Sequence, residues 1–339
     1  MAIDITEIDF DTELSEGAYN AVNICLRVKP EERVTVITDS ESLGIAASLS
    51  AELDKVGSEY KVFVLEDYVN RPTKYMPHGI LDHLSKSNVS IFAAQAQQGE
   101  LQSRVQMTAV VDQYRIRHAH MVNITETIMK EGMRADFLKI DDISTRLIDI
   151  TSKAKTIKAV SKGGTDIIAE FSPKLKWLKT SGLISVNKWG NLPGGEIFTS
   201  PFTVNGHFVV DGVVGDYLCR KYGDLNETPL YIDILDSRIV KLACDNQELL
   251  KEFTDYTMTD ENSNRVGEFA IGTNIALNGV IGNILQDEKL PSIHMAFGHP
   301  YSEHTGANWS SSTHIDCVGT QFDIWADDKK VMEDGKFLI

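Results

Sequence analysis

The sequence predicts an α/β protein with an N-terminal domain built on a mostly parallel sheet flanked by helices, followed by a β-rich α/β domain. Three observations carry this expectation. Strand-like apolar runs alternate with 3.6-period segments up to about residue 155, the signature of strand–helix–strand crossovers. Beyond 156 the texture changes to short runs of alternating polarity closed by Gly and turn residues. At roughly 100–200 residues per domain, 339 residues predict two domains or one large α/β unit, and the change of texture places a boundary near 155, giving 1–155 and 156–339.

The elements follow in order. Ala18 to Val28 is apolar-periodic and ends at the Pro-punctuated KPEER. The run VTVITD then reads as a strand, Ser42 to Lys55 as a helix and YKVFVLED as the next strand, together a βαβ-like unit. VSIFAAQA at 89–96 and RHAHMVNI at 117–124 continue the strand pattern, with GELQSRVQMTAVVDQYRI as the helix between them. Residues 142–154 read as another helix. The second domain supplies the short strands TIKAVSKGG, TDIIAEFS, GEIFTSP, NGHFVVDGVVG and PLYIDILDSRIVKLA, with its plainest helix near 246–256. No repeat of 20–50 residues occurs, which excludes a solenoid.

Charge narrows the partners. With 33 basic and 49 acidic residues the formal charge is −16, unsuited to nucleic acid or an anionic membrane surface. No apolar run reaches the length of a membrane span, and the first 17 residues hold six acids and no Lys or Arg, the opposite of a targeting segment, so cytoplasm is expected. Cys25, Cys219, Cys244 and Cys317 are far apart, form no CxxC pair and read as buried, inert thiols. KGGTDI at 162–167 is too short for a phosphate loop.

Four of the nine histidines fall between 294 and 314. His294 sits inside the apolar run SIHMAFG, where an imidazole needs a partner. In THIDCVG, His314 and Asp316 are two apart and therefore project from one strand face, a pairing of imidazole and carboxylate that suits a metal. Glu268 is a lone charge within VGEFAIG, and a buried carboxylate of that kind needs a cation, an Arg or a proton. Glu196 follows a Pro-Gly-Gly turn at the mouth of a short strand, well placed to face a cleft. Together Glu196, Glu268, His294, His314 and Asp316 form an inventory suited to two divalent cations with open positions. His118 and His120 share a strand face without a third ligand and are expected to be structural. His299 and His304 are expected in the loop over the site, and the four tryptophans in packing roles.

At these residues the sequence resembles the aminopeptidase T/aminopeptidase S group of metallopeptidases (M29). The resemblance is strongest in NLPGGEIFTSP, GEFAIGTN, IHMAFGHPY and HID, and weaker in the first domain. It implies that Glu196, Glu268, His294, His314 and Asp316 bind a dinuclear centre of Zn, Co, Mn or Mg. It also implies that Glu196 and Tyr301 are catalytic, Tyr301 as the active-site tyrosine donating to the developing oxyanion or orienting substrate. The implied reaction is cleavage of an N-terminal peptide or small amide bond by a metal-bound hydroxide. A homodimer with an enclosed cavity, acting on a peptide or small molecule, would follow. Gly195 departs from the pattern, standing where the family usually has Thr. A related branch, the 2,5-dihydroxypyridine 5,6-dioxygenases, implies the alternative of a mononuclear Fe(II) ring-cleaving enzyme. A degenerate relative that only binds a small molecule is the third reading.

Overall fold

The computed structural model describes residues 3–187 and 189–339. The chain divides into two compact units, Met1–Leu138 with Gly182–Gly194, and Lys139–Ser181 with Gly195–Ile339. The change of texture near 155 marks the first strand of the second unit. The helix just before it, Phe137–Thr151, has nearly all of its length in that unit and sends Leu147 into its core.

The first unit is built on a parallel sheet in the order Glu59–Val64, Arg33–Thr38, Val89–Ala94, Arg117–Val122 and Gly190–Asn191. Val89–Ala94 is buried along its whole length, as befits a central strand covered on both faces. The crossover helices are Leu43–Val56, closed by the left-handed Gly57, a shorter segment His78–Leu84, and Leu101–Tyr114. The apolar segment read from Ala18 is a helix that passes from α geometry over Ser15–Tyr19 into π geometry over Asn20–Cys25. Within this unit Arg71 is buried and pairs with Asp39 at 2.8 Å and Glu100 at 2.6 Å, so its charge is compensated by structure.

The second unit contains two antiparallel sheets. One has eight strands, with Thr156–Ser161, Asp166–Glu170, Thr203–Val210 and Leu230–Leu235 towards its middle. The other runs His314–Val318, Ile293–Gly298, Val266–Gly272, Glu196–Thr199 and Leu178–Lys179. Ile157, Ile167, Phe208 and Ile232 from the first sheet join Ile197, Phe269, Met295 and Phe297 from the second in one buried cluster. The helix Gln247–Thr257, N-capped by the Asn246 side chain, adds Leu249 and Phe253 to it.

Candidate metal centre

Strand register places the five sequence-predicted residues on one face of the five-stranded sheet. Glu268 pairs with Ala296, which pairs with Asp316, while His294 lies opposite Ala270, Glu196 opposite Gly272 and His314 opposite Gly298. Directly paired residues point to the same side, and so do residues two apart along a strand. The large apolar residues of alternate positions therefore fill the core on one face. On the other face each of the five polar side chains has an Ala or Gly opposite it on at least one side, which leaves room above the sheet for the longer groups, while Val318 opposite His294 and Phe198 opposite Ala270 bound that space. A break in register between Val266 and Glu268 falls at Gly267, where an added Cβ would lie 2.1 Å from the Gly298 carbonyl oxygen.

Three of the five residues converge closely. Donor atoms of Glu196, Glu268 and His294 all lie within 4.8 Å of one another, the one such group among the described residues. The three residues are 7, 5 and 1% exposed. His294 Nε2 stands 3.4 Å from Glu196 Oε2 and 3.5 Å from Glu268 Oε1. Beside them His314 Nε2 is 3.3 Å from Asp316 Oδ1 and 3.9 Å from Glu268 Oε2. His314 Nδ1 donates to the His299 carbonyl oxygen at 2.9 Å, a hydrogen bond that orients the ring with Nε2 towards the carboxylates.

The charges perturb one another strongly. Burial raises the Glu268 carboxyl above the usual carboxylate range. For Glu196 burial acts in the same direction, but Lys289 and His294 outweigh it and the net shift is downward. Burial also opposes charge on His314, yet Asp316 and Glu268 raise it to about 10, while His314 in turn holds Asp316 at about 2.

Three polar residues beside this group, Lys289, Glu288 and Thr180, carry no motif. Lys289 is 1% exposed, and its Nζ lies 2.8 Å from Glu196 Oε1 and 2.5 Å from Glu288 Oε1. Burial pushes the Glu288 carboxyl up to about 7. Thr180 Oγ1 donates to Glu196 Oε1 at 2.6 Å. The adjacent acid and lysine just before PSIHMAFG are ordinary surface residues in a linear reading, so only their proximity to an apolar run hinted at burial. Gly195 has φ +131°, and an added Cβ would lie 2.8 Å from the Asn274 backbone nitrogen. A Thr does not fit there, and the hydroxyl on Glu196 comes instead from Thr180.

Tyr301 opens the turn after the His294 strand with φ 49°. Its ring centroid is 4.9 Å from that of His314, 5.6 Å from His299 and 5.9 Å from Phe198. Although the residue is 36% exposed, crowding around its phenol and the nearby carboxylates raise the phenol pKa above the usual value, so it remains a donor. His304 is exposed beside Glu303, and Trp309 is covered by the Arg265 guanidinium at 4.2 Å.

The donor set fits a divalent cation. Metal–oxygen and metal–nitrogen bonds of about 2.0–2.2 Å place ligand atoms roughly 3–3.5 Å apart, the spacing seen around His294 Nε2. His294 Nδ1 is buried with no hydrogen-bond partner, so this ring is held mainly by what its other nitrogen faces. Two buried carboxylates and an imidazole on one sheet face make a candidate site for a divalent metal. The chain belongs to the thermophilic metalloprotease (M29) family, whose model matches residues 139–337, and is with it a metallopeptidase-like hydrolase. Among solved structures it is similar to wild-type AmpT from Thermus thermophilus, at 14% identity and TM-score 0.71 over 96% of this chain and 99% of that one. It is also similar to the 2,5-dihydroxypyridine dioxygenase of Pseudomonas putida KT2440, at 15% identity and TM-score 0.67 over 99% and 98%. At such identities both likenesses speak for the fold alone. No curated protein matches. No helix among the described residues is long and apolar enough to cross a membrane.

Proposed function

We propose that this chain is a metal-dependent aminopeptidase-like hydrolase that cleaves an N-terminal peptide bond or a related small amide. The observation that carries this reading is the buried Glu196–Glu268–His294 group, which unites the donor types of a hydrolytic metal site on one sheet face. Family membership supports it. Glu196, Glu268 and His294 hold the ion, and His314 and Asp316 complete the site on the same face. A divalent ion bound there supplies a Lewis acid for the scissile carbonyl and lowers the pKa of water from 15.7 towards about 7.

The protein's own groups do the rest. Glu196 acts as a ligand of the ion, and Tyr301 is the group that faces the reacting atoms. Tyr301, protonated and close to His314, donates a hydrogen bond to the oxygen that gains charge. The paired His314 and Asp316 offer an acidic partner for the free amino group of the substrate. Ala270, Gly272, Ala296 and Gly298 between the polar groups leave space for a backbone amide.

The test is turnover of a dipeptide panel by protein loaded with Co(II), Zn(II) or Mn(II). Amide cleavage is expected from dipeptides with a free amino terminus and not from their N-acetylated forms. Glu268→Ala is expected to lose both bound metal and turnover. Metal-loaded, folded protein that releases nothing from the panel would overturn the reading.

A further inference from the structure

We infer that the site is built for one divalent cation per chain, with the ammonium of Lys289 standing in for a second. The inference rests on the proposal that the cluster binds metal, and it concerns how many ions the cluster accepts. Lys289 Nζ is buried between Glu196 Oε1 at 2.8 Å and Glu288 Oε1 at 2.5 Å. Glu196 Oε1 also accepts from Thr180 Oγ1 at 2.6 Å. A carboxylate oxygen has two lone pairs, and both on Oε1 are thereby used.

Only Oε2 of Glu196 remains for a metal, and it is this atom that stands 3.4 Å from His294 Nε2. Glu196 therefore ligates through one oxygen and does not bridge two ions. An ammonium has three protons and no lone pair, so Lys289 cannot itself be a ligand. It can only occupy the cation position beside Glu196 and Glu288, where it is buried at 1% exposure. The donors agree in number: His314 Nε2 lies 3.3 Å from Asp316 Oδ1 and 3.9 Å from Glu268 Oε2, yet among the described residues only Glu196, Glu268 and His294 form a group of three within mutual reach. Lys289 is thus a positioning residue that sets the denticity of Glu196 and the ion count of the site.

The test is metal stoichiometry, read by elemental analysis after equilibrium dialysis against Co(II) and by titration of the Co(II) absorption bands. The wild-type chain is expected to take up one equivalent. Lys289→Met keeps the volume and frees Glu196 Oε1 and Glu288, and is expected to take up two. Lys289→Glu, which adds a carboxylate, is expected to do the same, and circular dichroism of both loaded variants checks the fold. Two equivalents in the wild type would overturn the inference and leave the metal site standing. No metal in the wild type would instead overturn the functional reading beneath it. Variants that fold and remain at one equivalent would remove Lys289 from its assigned role.

Discussion

Tyr301 shows how much a single residue owes to its surroundings. A tyrosine after a Gly-His-Pro turn is unremarkable as sequence, yet here a left-handed backbone turns its ring towards His314 and the neighbouring carboxylates keep its proton in place. Tyr301→Phe retains the ring contacts and removes only the donor. Its expected effect is a fall in kcat of roughly 10²-fold, with KM and Co(II) affinity nearly unchanged. Steady-state kinetics beside a metal titration checks this, and a variant with full kcat would exclude the donor role. The charged residues differ in how legible they are. Glu268 announces itself because an acid within VGEFAIG has to be buried, and His294 does so for the same reason. Lys289 does not, because EKLPS reads as a polar loop until the chain folds it against Glu196.

At the scale of the element, the sheet face is made by alternation between large apolar residues and small ones. Gly272 lies opposite Glu196, and an added Cβ would stand 1.9 Å from the Leu290 carbonyl oxygen. The loop that carries Lys289 therefore packs directly on a glycine of the Glu268 strand. Gly272→Ala is expected to destabilise the second unit by about 3 kcal/mol, since backbone rather than a flexible side chain has to move. Urea unfolding would show the loss as a lower midpoint at constant m value, and an unchanged midpoint would mean that the loop yields freely. The strand and the helix of residues 246–256 were readable from period and composition. The close approach of residues 289–290 was not, because it joins segments whose sequences carry no mark of each other.

At the scale of the whole molecule, the formal charge is −16, and the buried cations Arg71 and Lys289 are each paired with carboxylates. Acid sensitivity is expected from a different place, the parallel sheet of the first unit. His118 is fully buried, with Nδ1 2.8 Å from Ser90 Oγ and Nε2 3.2 Å from His120 Nδ1, and burial lowers its pKa to about 3. Its folded value lies below its unfolded value, so the unfolded chain binds the extra proton. The stability that neutral His118 contributes is complete above pH 6.5 and is lost progressively between pH 6.5 and about 3. One proton corresponds to a slope of about 1.4 kcal/mol per pH unit across that window. His118→Gln should flatten the fall in urea stability between pH 7 and pH 5, and an unchanged slope would assign the acid sensitivity elsewhere.

The sequence by itself determined the class of this protein. Alternating strand and helix periods specify the parallel sheet, short turn-bounded runs specify the β-rich unit, and polar residues isolated in apolar strands mark where chemistry belongs, because burial forces a partner on them. The motif segments also point to the metallopeptidase family. Tertiary structure alone decided what those partners are. Register brought Glu196, Glu268 and His294 onto one face, and folding set Thr180 and Lys289 against the same carboxylate oxygen. The physical reason is range. Backbone period and burial are local properties written every two to four residues, whereas the electrostatic company of a buried charge depends on segments far apart in the chain meeting within 3 Å, as Thr180 and Lys289 do at the same oxygen of Glu196.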